Sequence, residues 1–364
     1  MLHIKSICDI TPVFLVAVTA VSLTVGSCDR MHNPVTPIVA DIQLSGQVYL
    51  SYGGNPGTLS VYISSSAGAE STLVGSDGRF NTILTLAHTD DELTVYIDAT
   101  NPDQRSYLPS LAYVSRRNIP SQMKFILVPT EVTLSGGSFS GTRVSISMDK
   151  AFRTSPHTSG FYHETKQRGR GRCCNGTPWA PRVASWPSAS MPIPVALDNA
   201  SSTEPFTSIE SNRVWHHLVK VETALGVDMF RSGTVQEASQ NGIVVRLDDT
   251  GRAGTASFSS DVNLDINWGR MTFHPTKLRL PGSVIVEQEA FHVIGLGDTC
   301  SWLSIQAKRS FGCRLSSIIT AADVAYQQIL YQVLALKKSS GAQYHVDAAF
   351  RGERVIILGG LPYN

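Results

Sequence analysis

The chain has 364 residues, of which 16% are charged and 42% are hydrophobic, and its net charge is +1. This length predicts two or three domains, and the hydrophobic share excludes a chain that is disordered throughout. The balance of 30 basic and 29 acidic residues argues against a general nucleic-acid binder, because phosphate binding needs a clustered basic excess. We therefore expect no nucleic-acid partner.

The first 27 residues carry the pattern of an export signal. Lys5 is the one Lys or Arg before an apolar run from Pro12 to Val25, and this run leads into Gly26-Ser27-Cys28. The segment resembles a bacterial lipoprotein signal. The resemblance implies that residues 1–27 are removed, that Cys28 is lipidated, and that residues 28–40 tether an exported protein to a membrane of the bacterial cell envelope. The alternatives are an ordinary cleaved signal, which gives a secreted protein, and an uncleaved anchor helix.

Residues 41–131 alternate apolar and polar positions in short runs, which is typical of strands with one buried face. Asp77-Gly78 lies between two such runs and predicts a hairpin turn. This pattern predicts a small β-sandwich. The segment resembles the transthyretin-like, carboxypeptidase-regulatory-like sandwich in its Ser45-Gly46-Gln47-Val48 opening and its Ser76-Asp77-Gly78-Arg79-Phe80 turn. The resemblance implies an accessory module. We predict strands over 43–50, 58–63, 80–86, 93–99 and 123–128.

Residues 132–189 are predicted to form a linker with further strand signal and several prolines. Its Gly-rich basic run, 166–172, is interpreted as a solvated loop, because no aromatic side chains alternate with the charges. Export would place the cysteines in an oxidising compartment. Cys300 and Cys313 are close enough in sequence to close a short disulfide loop, whereas the partners of the adjacent Cys173-Cys174 are left open.

Strands and helices alternate over residues 190–364, which predicts an α/β domain. Thr207 and Glu210 form a capping-box pattern at the start of a helix that Gly226 ends. The predicted fold is therefore multidomain, with an N-terminal β-sandwich followed by an α/β domain. We predict strands over 193–198, 243–247 and 271–273, and helices over 283–295 and from 320 onwards.

One segment of this α/β domain carries a chemical pattern: Glu289, His292, Gly295 and Asp298, each three residues after the last. It resembles the metzincin signature of matrixin- and astacin-type zinc peptidases. There, two ligands on one helix face bind one zinc ion, and a Gly turns the chain so that a third ligand reaches it. The resemblance implies that Glu289 is the general base and that His292 and Asp298 are zinc ligands. The alternative is an ordinary Glu289–His292 pair on a helix face.

The segment departs from the family pattern at three positions. Asp298 stands where the third ligand is usually a His, although an Asp variant of the signature exists. Gln288 occupies the position of the first zinc ligand, and a neutral amide is a weak zinc donor. Gln306 lies where the family places a Met below the metal. Glu287 is a poor substitute ligand, because the next helical position points about 100° away. His274 and His345 would replace the missing ligand only if the fold brought them close.

The sequence therefore predicts a metzincin-like homologue on the cell envelope that is catalytically impaired and binds a peptide or protein. An open catalytic zinc site ordinarily uses three protein ligands, and Gln288 removes one of them. The alternative is an active zinc-dependent endopeptidase, in which His292, Asp298 and a further donor hold zinc and Glu289 activates water. A third hypothesis is a purely structural envelope lipoprotein.

Overall fold

A computed structural model of the chain describes residues 40–65, 68–86, 92–99, 107, 110–115, 119, 121–146, 184–250, 252–261, 265–296, 304–306 and 316–340. Within these residues the protein is a mixed α/β structure of several β-sheets and a few helices. The predicted signal, Cys28, the basic run 166–172 and Cys173-Cys174 lie outside the described residues. None of the helices in the described ranges is long and apolar enough to cross a membrane.

The N-terminal part of the described chain, residues 40–127, forms two β-sheets, and we call it the two-sheet region. The strands are β1 (Ala40–Leu50), β2 (Ser60–Ser64), β3 (Ala69–Leu73), β4 (Arg79–Leu86), β5 (Glu92–Asp98), β6 (Ser110–Ser115) and β7 (Met123–Leu127). One sheet has the strand order β4-β1-β7 and the other β3-β2-β5-β6. Neighbouring strands are antiparallel except β1 and β7, which are parallel.

The two sheets share one hydrophobic core. Leu44 and Val48 of β1 lie in the same buried cluster as Val61 and Ile63 of β2, with the outward residues between them more exposed. The five strands predicted here are confirmed, with shifted ends, and β3 and β6 are additional. The hairpin predicted at Asp77-Gly78 is wrong. A turn forms there, but it joins β3 to β4, which belong to different sheets.

The C-terminal part of the described chain, residues 184–340, contains a mostly parallel five-stranded sheet and helices, and we call it the α/β region. A short hairpin of β8 (Glu131–Thr133) and β9 (Arg143–Ser145) precedes it. The remaining elements are β10 (Ile193–Leu197), α1 (Ser208–Leu225), β11 (Phe230–Ser232), α2 (Val235–Asn241), β12 (Ile243–Leu247), β13 (Gly254–Ser260), β14 (Ile266–Phe273), α3 (Pro275–Arg279), α4 (Ile285–Val293) and α5 (Ala321–Ser340).

The sheet of the α/β region has the order β11-β10-β12-β14-β13, in which β13 alone is antiparallel to its neighbour. Its two faces are covered by different helices. Val195 and Val245 point into the main core with α1, α4 and α5, whereas Ala196 and Val244 form a small cluster with Ala238 of α2. Strand β13 lies at one edge of the sheet, and α4 packs against β13 and its neighbour β14.

The predicted helix start at Thr207 and helix end at Gly226 are confirmed. The Thr207 side chain accepts from the Glu210 N–H while Glu210 accepts from the Thr207 N–H, which is a complete capping box. Gly226 ends α1 in the left-handed conformation with φ 71°. The structure adds a contact that the pattern did not indicate, because Arg279, the last residue of α3, binds the buried carboxylate of Glu210 at 2.7 Å.

Helix α5 contacts both regions. Its buried face lies in the main core of the α/β region through Val324, Ala325 and Ile329. Near its end, Val333 and Leu336 pack on Ile126 of β7. The Lys124 ammonium of β7 also donates to the Ser340 carbonyl at 2.8 Å. The last described helix therefore joins the two-sheet region to the core beneath the metzincin-like segment.

Candidate functional site

Helix α4 carries the first part of the metzincin-like segment. Its apolar residues, including Val286, Ala290 and Phe291, are fully buried and fix the helix against β13, β14 and α1. The helix runs from Ile285 to Val293, four residues shorter than predicted but with the same centre. Glu289 is 6% exposed, while His292 and Gln288 are half-buried.

The Glu289 carboxylate lies against the outer strand of the sheet. A β-carbon placed on Gly254 of β13 would be 3.0 Å from Glu289 Oε1 and 2.7 Å from Ile285 Cγ1. Gly254 therefore allows α4 to approach the strand closely enough that the carboxylate reaches its backbone. The predicted general base thus sits at an edge of the sheet, on a helix whose other faces are buried.

The imidazole of His292 is oriented by the chain that follows α4. Its Nδ1 lies 2.8 Å from the Leu296 carbonyl oxygen, which accepts only, so this nitrogen carries the proton. In the neutral imidazole this leaves Nε2 as the acceptor nitrogen, which is the form that a metal-binding His takes when a carbonyl holds its other nitrogen. This geometry fits the predicted role of His292.

The bend after α4 depends on Gly295. Its φ is +106°, and a β-carbon there would lie 2.3 Å from the Ala184 carbonyl oxygen. No residue with a side chain fits this position without moving the backbone. The predicted turn at Gly295 is therefore confirmed. Asp298, the residue that this turn would bring back, lies outside the described residues.

Gln306, which the resemblance aligns with the metzincin Met, contacts α4. Its side chain is fully buried, and its amide nitrogen donates to the Gln288 backbone carbonyl at 3.1 Å. In an α-helix this carbonyl also accepts the N–H of His292, so Gln306 holds the turn that carries the site. The amide oxygen of Gln306 is buried without a hydrogen-bond partner among the described residues.

A polar stripe on α5 holds the end of α4. Asp323, Gln327 and Tyr331 follow each other at intervals of four and lie on one helix face. The Gln327 amide and the Tyr331 hydroxyl both donate to the Ile294 carbonyl, at 3.1 and 3.2 Å. The Trp186 indole N–H donates to the Val293 carbonyl at 3.0 Å. These donors satisfy carbonyls that a helix end leaves unpaired, so they fix where α4 stops.

Asp323 joins this stripe to the turn that carries Gln306. It accepts from the Ser304 hydroxyl, from the Ile305 N–H at 3.4 Å and from the Thr320 N–H at 2.9 Å. Burial raises the pKa of Asp323, although these hydrogen bonds act in the opposite direction. The sequence predicts the start of α5 but not this stripe, since amides and hydroxyls carry no periodic apolar signal.

Glu287 points away from the site, as predicted from its helical position. Its carboxylate binds Nδ1 of His217 on α1 at 2.5 Å and lies 3.7 Å from the Lys220 ammonium. The exposed fractions of the His217 and Glu287 side chains are 11% and 4%, so this pair is an ionisable contact inside the α1–α4 interface. The second oxygen of Glu287 has no hydrogen-bond partner among the described residues.

Two other histidines were candidates for the missing ligand, and the structure describes one of them. His274 caps α3, and its Nδ1 accepts the Thr276 N–H at 3.2 Å. His345, like Cys300 and Cys313, lies outside the described residues. In the part of the chain that the structure describes, no three His, Cys, Asp or Glu side chains are grouped to hold a metal ion.

The described donors alone do not fit a catalytic zinc ion. The described part of the motif offers one imidazole, that of His292, and one neutral amide, that of Gln288, whereas such an ion takes three protein ligands from imidazole, thiolate or carboxylate groups. The arrangement does provide a carboxylate and an oriented imidazole beside the outer strand.

No family model, curated protein or solved structure matches this chain.

Proposed function

We propose that this protein is a metzincin-like homologue that binds an extended peptide, or an extended segment of a protein, without cutting it. The proposal rests on the close approach of Glu289 to Gly254, which puts the motif helix directly behind the outer strand β13. The oriented imidazole of His292 and the turn at Gly295 support the descent from metzincins. The β-sheet pairing of the two-sheet region is compatible with a transthyretin-like accessory module.

The outer side of β13 offers backbone groups to a peptide. The His274 N–H donates to the Ala253 carbonyl, so these two residues form a hydrogen-bonded pair. Such pairs alternate along antiparallel strands, and therefore every second residue of β13, counted from Ala253, bonds to β14. Gly254 and Ala256 lie between these pairs and direct their N–H and C=O groups to the other side. Among the described strands, none pairs with that side of β13. A peptide that adds as a further strand would run past Glu289.

Gln288 is the reason for proposing binding without hydrolysis. The Gln288 amide is a weak zinc donor, and the Gln288 backbone carbonyl accepts a hydrogen bond from the fully buried Gln306 side chain. A peptide bound along β13 would keep its main-chain hydrogen bonds whether or not a metal is present. The proposed function therefore needs the edge of the sheet and does not need the zinc chemistry.

A binding experiment with the full exported chain tests this proposal. A random peptide library displayed on phage is selected on the protein, and selected peptides are synthesised and titrated by fluorescence anisotropy. Ala256→Pro removes an N–H that faces the outer side of β13, and we expect at least a tenfold weaker affinity. Ala256→Ser retains the N–H and serves as the matched control.

Two outcomes of that experiment contradict the proposal. Either no peptide is enriched over selection on an unrelated protein, or Ala256→Pro and Ala256→Ser bind the selected peptides equally well. In the second case, the peptides contact some surface other than β13. Circular dichroism of both variants shows whether the fold is retained.

The alternative is an active zinc endopeptidase, favoured by the orientation of His292. It requires stoichiometric zinc by elemental analysis and casein cleavage that is lost in Glu289→Ala. The Gln288→His variant tests whether the rest of the zinc-binding cleft is intact. We expect this variant to gain zinc binding if Asp298 completes the ligand set, and failure to bind zinc would contradict the metzincin ancestry.

We also propose that the protein is exported and attached to a membrane of the bacterial cell envelope through a lipid on Cys28, which the sequence pattern supports. Labelling of cells with an alkyne-bearing fatty acid tests this attachment. We expect the wild-type protein to carry the label and Cys28→Ser to lose it. Equal labelling of both proteins would contradict the lipid site.

A further inference from the structure

A groove of about 720 Å³ opens on the two-sheet region, far in sequence from the metzincin-like segment. It is bounded by β1, by β4 and by the end of β3. This volume falls within the roughly 300–1,000 Å³ of sites that bind small molecules. Neither the metzincin-like site nor the proposed peptide binding uses this groove.

The groove is lined by side chains that both donate and accept hydrogen bonds. Gln43, Asn81 and Gln122 supply carboxamides, and Ser45, Thr72 and Ser121 supply hydroxyls. The Gln43 amide nitrogen donates to Asn81 Oδ1 at 3.3 Å, which orients both amides. This bond leaves the Gln43 oxygen as an acceptor and the Asn81 nitrogen as a donor for a ligand. Sugar hydroxyls have the same double character, because each donates one hydrogen bond and accepts others.

An apolar surface accompanies these polar groups. Leu73 is 67% exposed beside the groove, and Phe80 forms part of its buried floor. Pyranose rings combine equatorial hydroxyls with an apolar face of C–H groups, so they match a lining that places amides next to an aliphatic side chain. A fully polar ligand would leave Leu73 in contact with water.

The lining disfavours a charged ligand. Among the residues that the structure describes at the groove, none carries a carboxylate, and the one cation, Arg79, lies 3.7 Å from Asp77 on the exposed turn. A cationic ligand therefore finds no counter-charge, and an anionic one finds a guanidinium that is already paired in solvent.

An added peptide strand is disfavoured as well. The hydroxyl of Thr72 on β3 donates to the Asn81 backbone carbonyl of β4 at 3.3 Å and so occupies the edge where a strand would pair. After these exclusions, the class of ligand that fits the groove is one that side chains, rather than backbone groups, would hold.

We propose that this groove binds a neutral oligosaccharide. Asn81 and Gln43 hold its hydroxyls, and Leu73 covers one C–H face. The two-sheet region would then anchor the protein on a polysaccharide.

Isothermal titration calorimetry with the full chain tests the inference. The probes are the tetrasaccharides of β-1,4-linked glucose, β-1,4-linked mannose and β-1,4-linked N-acetylglucosamine. We expect at least one to bind with a dissociation constant below about 1 mM. The double variant Gln43→Ala/Asn81→Ala is expected to bind that probe at least tenfold more weakly. Both side chains are exposed, so this variant keeps its fold.

Gln236→Ala, an equally exposed amide on α2, is the matched control and is expected to bind like the wild type. The inference is overturned if none of the three probes binds below about 1 mM. It is also overturned if the double variant and Gln236→Ala bind the same probe equally well. Peptide binding at β13 is measured separately, so either proposal can fail without the other.

Discussion

The two-sheet region and the α/β region bury different kinds of side chain. Among the described residues, Ser51 is the one buried polar side chain of the two-sheet region, whereas the α/β region buries Glu210, Glu287, Glu289 and Asp323. A buried carboxylate costs free energy unless neighbouring groups compensate it. The α/β region therefore depends on specific partners for its buried carboxylates, whereas the described core of the two-sheet region depends mainly on apolar packing. The following substitutions test this contrast, from the largest expected effect to the smallest.

Gly295→Ala is expected to separate the two regions most strongly. The change combines a positive φ with a contact of 2.3 Å to the Ala184 carbonyl, so we expect a loss of about 4 kcal/mol in the free energy of unfolding. Gly53→Ala in the two-sheet region is the control, because Gly53 has φ 71° but no atom near the added carbon. It should cost about 1 kcal/mol. Urea denaturation measures both, and equal losses would contradict the account of the bend.

His217→Ala removes the main partner of a buried carboxylate. Glu287 keeps only Lys220 at 3.7 Å, so we expect a loss of about 3 kcal/mol. Arg79→Ala in the two-sheet region removes a pair whose members are both mostly exposed, and we expect an unchanged melting temperature. Hydrogen exchange should show faster opening of α4 in His217→Ala. A variant as stable as the wild type would show that the α1–α4 pair contributes nothing.

The loss of stability caused by Glu210→Gln is expected to depend on pH, which sharpens the contrast between the two regions. Burial opposes ionisation of Glu210, but hydrogen bonds from Thr207 and the Arg279 guanidinium outweigh it and lower its pKa below the ordinary 4.5. Its stabilisation is therefore present above pH 4.5 and is lost as the pH falls through the lower folded-state value. We expect the variant to be less stable by about 2 kcal/mol at pH 7. This difference should shrink in urea titrations below pH 4.5, and a constant difference would contradict the assignment.

Gln306→Met is expected to act in the opposite direction. It removes a buried amide oxygen that has no partner in the described structure, together with one hydrogen bond to the Gln288 carbonyl. The helical bond to this carbonyl remains, so we expect a gain of about 1 kcal/mol in the free energy of unfolding. Gln122→Met on the two-sheet region, which is half-exposed, serves as the comparison and should change little. A destabilised Gln306→Met would show that the amide is needed to hold α4.

The sequence predicted the elements whose signals are local. The capping box at Thr207 and Glu210, the helix end at Gly226 and the bend at Gly295 each follow from the chemistry of one or two residues, and each is confirmed. The alternating strands of the two-sheet region were also found, because one of their faces is buried.

The remaining features depend on contacts between distant segments. Strand β13 begins Gly254-Thr255-Ala256-Ser257, small residues with little strand signal, and it forms because β14 pairs with it. The pairing of His217 with Glu287 joins two helices about seventy residues apart in sequence. Asp77-Gly78 has the local chemistry of a hairpin turn, but β3 pairs with β2 and β4 pairs with β1, and no turn residue encodes which strand each one pairs with.

The position of α5 in the chain has a consequence for biosynthesis. The two-sheet region is complete once residue 127 has emerged from the ribosome, whereas the carbonyls that end α4 are capped by Gln327 and Tyr331, about two hundred residues later. Until those residues arrive, α4 lacks two of the donors that cap its end. The nascent protein is therefore expected to mature in two steps, with the end of α4 completed in the second.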